Sequence, residues 1–190
     1  MRILVACEYS GRVRDAFIAR GHDAISCDLL PSETPGPHVQ GDVVPMLAQN
    51  WDMIVAFPPC TYLSSSGIHW NSRIPGRDKL TQEASEFFML FANSPCPRIA
   101  IENPVGVMSS KWRKPDQIIQ PWMFGEDASK RTCLWLKGLP TLQPTNIVTR
   151  QRYANQTPSG QNKLGPSPHR AKLRSLTYQG IADAMAAQWG

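Results

Sequence analysis

Three short apolar runs, Ile3–Ala6, Met53–Ala56 and Ile99–Ile101, each stop abruptly, at Cys7-Glu8, Phe57-Pro58-Pro59-Cys60 and Glu102-Asn103-Pro104. Runs of this length without polar alternation fit strands buried on both faces, as in a parallel sheet. Helical patterns lie between them. Val13, Ala16 and Phe17 have helical spacing on Gly11–Arg20, and Gly21 ends that helix before a second strand at Ala24–Cys27. Pro31–Pro37 reads as loop, Gly41-Asp42-Val43 as the end of a third strand, and Trp51–Phe57 as a fourth. Leu80, Ala84, Phe87, Phe88 and Phe91 share one helical face, Arg98–Ile101 forms a fifth strand ending at Glu102, and a last helix runs from about Tyr178 to Trp189 with Ile181, Met185 and Trp189 packing inward. The expected fold is α/β, a mostly parallel sheet with helices on both faces and functional loops at the carboxyl ends of the strands.

At 190 residues, 42% of them apolar and 18% charged, the chain is expected to form one globular domain, spanning 1–190. A net charge of +5 favours a polyanionic partner. The opening apolar run is interrupted by Glu8, Arg12 and Arg14, unlike a secretory signal, and nothing approaches the roughly 18 apolar residues of a membrane span. The chain is therefore expected to be soluble and cytoplasmic, without a membrane partner. Five scattered cysteines, with no Cys-x-x-Cys pair, indicate neither a disulfide framework nor a metal site, and the four dispersed histidines carry no assigned role.

Cys60 and Glu102 carry the chemistry. A thiol on a proline-stiffened loop and a carboxyl at another strand end can attack and protonate one heteroaromatic ring. Carbon 5 of a pyrimidine is a poor nucleophile, but a thiolate adding to carbon 6 turns the ring into an enamine-like species whose carbon 5 attacks an electrophilic methyl group. The addition needs a proton at ring nitrogen 3, which suits Glu102 as a carboxylic acid. An isolated cysteine is more often a buried structural thiol, and Cys7, Cys27, Cys96 and Cys133, in or beside apolar runs, are read as core or incidental. Two preceding prolines and the companion glutamate set Cys60 apart.

Together these residues resemble the DNA cytosine-5 methyltransferase family over roughly residues 1 to 136. Ala56-Phe57-Pro58-Pro59-Cys60 with Leu63-Ser64 is similar to that family's nucleophile loop, and Ile101-Glu102-Asn103 to its glutamate motif. Ile3–Gly11 resembles the first cofactor strand and turn. The resemblance implies a Rossmann-like fold, S-adenosylmethionine as methyl donor and DNA as partner. It also implies cofactor contacts from Cys7, Glu8, Tyr9, Ser10 and Gly11, from Asp28 and Leu29 toward the ribose, from Asp42 and Val43 toward the adenine, and from Pro58. Arg131, in Ser129-Lys130-Arg131, resembles the family's base-contacting arginine and joins Cys60 and Glu102 as a catalytic candidate.

The sequence departs from the family in three places. The glycine-rich first turn is replaced by Cys7-Glu8-Tyr9-Ser10-Gly11, a glutamine that often follows the nucleophile is replaced by Thr61, and about forty residues stand where a large target-recognition region is expected. That loop-rich segment, about 137–176, carries Arg150, Arg152, Lys163, Arg170, Lys172 and Arg174, with no acidic residue between Thr149 and Ser175. Such a run can neutralise phosphates with little sequence readout, and its Gly, Ser and Pro content fits a loop that orders on binding. A short or relaxed target is expected, or a second subunit that supplies specificity. Methylation of a free pyrimidine nucleotide, amino-group methylation of DNA, and a non-catalytic DNA-binding or partner module are the alternatives. The amino-group enzymes use an Asp/Asn-Pro-Pro-aromatic loop, and here Phe57 and Cys60 hold both functional positions.

Overall fold

The computed structural model describes residues 1–165 and 174–190. Seven strands form one mixed sheet: β1 (Arg2–Ala6), β2 (Asp23–Asp28), β3 (His38–Gln40), β4 (Met53–Ala56), β5 (Ile99–Pro104), β6 (Gln117–Ile119) and β7 (Thr132–Lys137). They lie in the order β3-β2-β1-β4-β5-β7-β6. β3, β2, β1, β4 and β5 pair in parallel, while β7 runs antiparallel to both β5 and β6.

Alternation along β1 divides the interior. Ile3 and Val5 face a layer built from α1 (Arg12–Ile18) and the last helix α4 (Gln179–Trp189), where Phe17, Met185 and Trp189 are buried. Leu4 and Ala6 face the opposite layer, filled by Phe88 and Phe91 of α2 (Arg77–Ala92) and by Met108 of the short helix α3 (Met108–Lys111). Complete burial of each phenylalanine stabilises the fold by roughly 1.5–3 kcal/mol. Helices thus cover both faces of the sheet, as the unbroken apolar runs require.

Two glycines permit close approaches. Gly11 precedes α1 at φ 78°, where a Cβ would collide with Thr34 Oγ1. Gly180, in the first turn of α4, lies against the Phe124 carbonyl, so that any side chain there would push α4 off the sheet. The loop after β2 is held by the fully buried Arg14, whose guanidinium donates to Ser32, Thr34 and Pro35 and pairs with Asp15 at 2.7 Å.

Register positions the site. Ala6 pairs with Cys27 and with Ala56, and Ala56 pairs with Ile101. The next residues, Cys7, Asp28, Phe57 and Glu102, therefore lie at one level on its carboxyl edge, Cys7 and Phe57 just past their strands and Asp28 and Glu102 still paired within theirs. Because β7 is antiparallel to β5, with Pro104 opposite Thr132, the chain entering β7 through Ser129–Arg131 arrives at that same edge. Between β1 and β4 the strand order reverses, which opens the crevice where ligands of such sheets bind.

The expected elements are present with small shifts in their ends. The third strand stops at Gln40, before Asp42, and the fifth continues through Glu102 to Pro104. β6, a three-residue edge strand, and β7 have no counterpart among the five strands expected from the sequence.

Candidate active site

A cleft of about 280 Å³ opens at the carboxyl edge. One side is the turn after β1, Cys7 to Ser10, and the floor is Phe57–Cys60 after β4. Glu102 and Pro104 of β5 and Ser129–Arg131 before β7 form the third side, and Asn162, Leu164 and Arg174–Tyr178 close the fourth.

The loop bearing Cys60 is anchored at both ends. Phe57 donates its N–H to Ala6, and the Pro58 carbonyl accepts from Asn103 Nδ2 at 2.8 Å. Leu63 and Ser64 then donate to the Cys60 carbonyl, and Val107 donates to the Leu63 carbonyl. The nucleophile candidate is thus tied to β5, which carries Glu102. Burial pushes the Cys60 thiol above its ordinary range, and the Glu102 carboxylate adds to this, while Lys130 and Arg174 act in the opposite sense. Glu102, 16% exposed at its side chain, forms an ion pair with Lys130 Nζ at 3.6 Å.

The turn after β1 has a different character. Cys7 adopts φ 58°, the one positive φ at a non-glycine residue among those described, and its thiol is pushed far up by burial and then by Asp28, Cys27 and Asp42. Glu8 is 5% exposed. Its Oε1 accepts from Ser10 Oγ and from the Arg12 N–H, whereas Oε2 is buried with no hydrogen-bond partner among the described residues. Burial raises the Glu8 carboxyl above its ordinary range, opposed by Ser10, Arg14 and Arg12. An orphaned carboxylate oxygen lining a cleft fits a ligand group that donates hydrogen bonds or carries positive charge.

Of the residues singled out in the sequence, Cys7, Glu8, Tyr9, Ser10, Pro58, Cys60, Glu102, Arg131 and Arg174 line this one cleft. Asp28 and Asp42 flank it, close enough to act on Cys7, and each also accepts a local bond, from the Leu30 N–H at 2.9 Å and the Val44 N–H at 3.0 Å. Gly11 caps α1, Leu29 is 74% exposed, and Val43 is buried in the core. None of these three lines the cleft. Arg170 and Lys172 lie outside the described residues.

The described part of the basic segment is packed against the site. Asn155 bonds Ser129 in both directions, Tyr153 stacks on Trp122, Ala154 donates to Asp127, and Lys163 Nζ donates to the Ala154 carbonyl. Arg150 pairs with Asp127 at 3.5 Å, and Arg152 is exposed. Further along, Ser175 bonds Tyr9, and the Thr177 carbonyl accepts from Arg12 at 2.8 Å, joining the C-terminal segment to the turn after β1. The Lys130–Glu102 pair was missed among the candidates. Its only sequence signal is the position of Lys130 beside Arg131 at the entry to the strand that pairs with β5.

No family model matches the sequence, and no curated protein matches it. Solved structures share its fold. A protein described as a DNA modification methyltransferase encoded within an E. coli prophage aligns at 15% identity over 78% of this chain and 52% of its own, with a TM-score of 0.51. The Entamoeba histolytica methyltransferase EhMeth aligns at 15% identity over 78% of this chain and 57% of its own, with a TM-score of 0.50. The alignment thus spans little more than half of either structure. The seven-stranded sheet flanked by helices is a Rossmann-like fold, shared with these two methyltransferase structures.

Proposed function

We propose that this chain is an S-adenosylmethionine-dependent methyltransferase that modifies carbon 5 of cytosine in DNA through a covalent bond to Cys60. The observation that carries the proposal is that Cys60 and Glu102, from different strands, line one cleft with the turn after β1. The fold shared with a protein described as a DNA modification methyltransferase supports the DNA assignment.

S-adenosylmethionine supplies an electrophilic methyl group when bound. Cys7, Glu8, Tyr9, Ser10 and Pro58, with the rim acids Asp28 and Asp42, would hold it, and Glu8 Oε2 would be available to a cationic group of the ligand. Cys60 forms a bond from Sγ to carbon 6 of the base while its thiol proton passes by way of the Glu102 carboxylate to nitrogen 3. Carbon 5, now nucleophilic, would take the methyl group as the methyl–sulfonium bond of the donor breaks and its thioether leaves. Loss of the carbon 5 proton to solvent, return of the nitrogen 3 proton and cleavage of the Sγ–carbon 6 bond restore the ring and the free thiol. A cytosine in a duplex must first leave its stack to reach this cleft. Arg131 is assigned a contact to the base. Arg150, Arg152, Lys163, Arg170, Lys172 and Arg174 are assigned to phosphates, and the 190 residues to one methyltransferase domain whose segment 137–176 replaces a recognition region.

The test is to incubate the protein with cofactor carrying a labelled methyl group and, separately, with DNA, RNA and deoxycytidine monophosphate, then to locate the label by mass spectrometry. Label on cytosine carbon 5 in DNA is the expected result. Label on an amino nitrogen, or on the free nucleotide alone, would contradict it.

A further inference from the structure

Lys130 is held unusually well for a lysine at a strand entry. Its own N–H donates to Gln120 Oε1 at 2.9 Å, and the preceding Ser129 is bonded through both its N–H and its carbonyl to the Asn155 side chain. The backbone is thus clamped by Gln120, just past β6, on one side and by the basic segment on the other. From there the side chain, 29% exposed, reaches Glu102 Oε1 at 3.6 Å inside the cleft that contains Cys60. Arg131, the neighbour chosen from the sequence, is exposed.

The charges facing Cys60 come from three elements: Glu102 on β5, Lys130 before β7 and Arg174 on the C-terminal segment. Glu102 alone would repel a thiolate. Lys130 offsets that charge, and Lys130 and Arg174 together oppose both Glu102 and the burial that holds the thiol above its ordinary range, so that removing either cation makes the thiolate harder to form. Glu8, Arg131 and Tyr178 also line the cleft, and burial followed by Glu126 raises the Tyr178 hydroxyl above its ordinary range.

We infer that Lys130 is the positioning residue of this cleft: it holds Glu102 beside Cys60 and supplies the positive charge that lets the thiol ionise there. The inference rests on the proposal that Cys60 is the nucleophile, but its test requires neither DNA nor cofactor. The rate at which iodoacetamide alkylates Cys60, forming the S–C bond with loss of iodide, is followed against pH by peptide-resolved mass spectrometry on the full chain. In Lys130→Gln the alkylation midpoint should move to higher pH, with about a three- to tenfold lower rate near neutrality. Lys130→Arg, which keeps the charge, should restore the wild-type profile, and Glu102→Gln should move it to lower pH. A lysine that merely braces the fold would change the melting temperature and leave the Cys60 profile in place, and that result in a folded Lys130→Gln protein would overturn the inference. Should Lys130→Gln fail to fold, Glu102→Gln decides: a lower midpoint supports the inference and an unmoved one overturns it. Absence of methyl transfer, with these shifts observed, would count against the proposed reaction and leave the role of Lys130 intact.

Discussion

The two halves of the cleft are built by different means. Around Cys60, side chains from positions 60, 102 and 130 meet because strand register and an antiparallel return bring them to one level, and Arg174 joins them from the C-terminal segment. Around the first turn, residues 7 to 11 are consecutive, and the flanking Asp28 and Asp42 each close a local turn onto the N–H two residues on. The contrast separates what each half can support. A carboxylate that caps its own turn has a sufficient structural reason to be there, whereas a thiol, a carboxylate and an ammonium gathered from three strand ends have none that the fold requires.

The largest effect is expected in the first half. Cys60→Ala should abolish methyl transfer and leave cofactor affinity, read by calorimetry, close to wild type, because the thiol faces the base. Turnover retained in this variant would remove the basis for treating the two halves as nucleophile and cofactor sides. Next come the rim acids. Asp28→Ala and Asp42→Ala should each weaken S-adenosylmethionine binding by roughly 1–3 kcal/mol if a hydrogen bond to a charged group is removed. Equal affinity in both variants would mean that these aspartates only shape turns.

A smaller, graded effect is expected from the basic segment. Neutralising Arg150, Arg152, Arg170 and Lys172 together should weaken binding to all DNA sequences alike and reduce the log-log salt slope by about 0.9 for each phosphate no longer neutralised. Arg150, already paired with Asp127, should contribute least. Sequence-selective weakening of binding would show instead that these side chains read bases.

The smallest effect concerns Glu8. Burial raises its folded-state pKa above the unfolded value, so its contribution to stability is complete below about pH 4.3 and is lost as pH rises through the raised folded value. Glu8→Gln should therefore raise the melting temperature of the ligand-free protein near pH 7 by a few degrees and flatten its pH dependence across that window. A lower melting temperature at neutral pH would show that the ionised carboxylate is held by more than Ser10 and Arg12.

The legibility of the molecule in its sequence follows the same division. Strands whose every residue is buried, such as Met53–Ala56, announce themselves as apolar runs, and the polar residue that ends each run marks the carboxyl edge. Helix α2 is equally visible through Phe88 and Phe91. β6 is not, because a three-residue edge strand with only Ile119 buried leaves no periodic trace. Neither is the Lys130–Glu102 pair, which depends on the antiparallel register of β7 against β5 and on clamps from Gln120 and Asn155. The basic segment reads as loop from its Gly, Ser and Pro content. Its described part is nevertheless held by contacts such as Tyr153 on Trp122, whose partners lie far away in sequence.

The central claim is covalent chemistry at Cys60, and DNA containing 5-fluorocytosine tests it most directly, since fluorine cannot leave carbon 5 as a cation and the adduct cannot resolve. With S-adenosylmethionine present, a denaturation-resistant protein–DNA complex should form, and peptide mass spectrometry should place the modified nucleotide on Cys60. Methylation of ordinary DNA without any trapped complex, or an adduct on another residue, would contradict it.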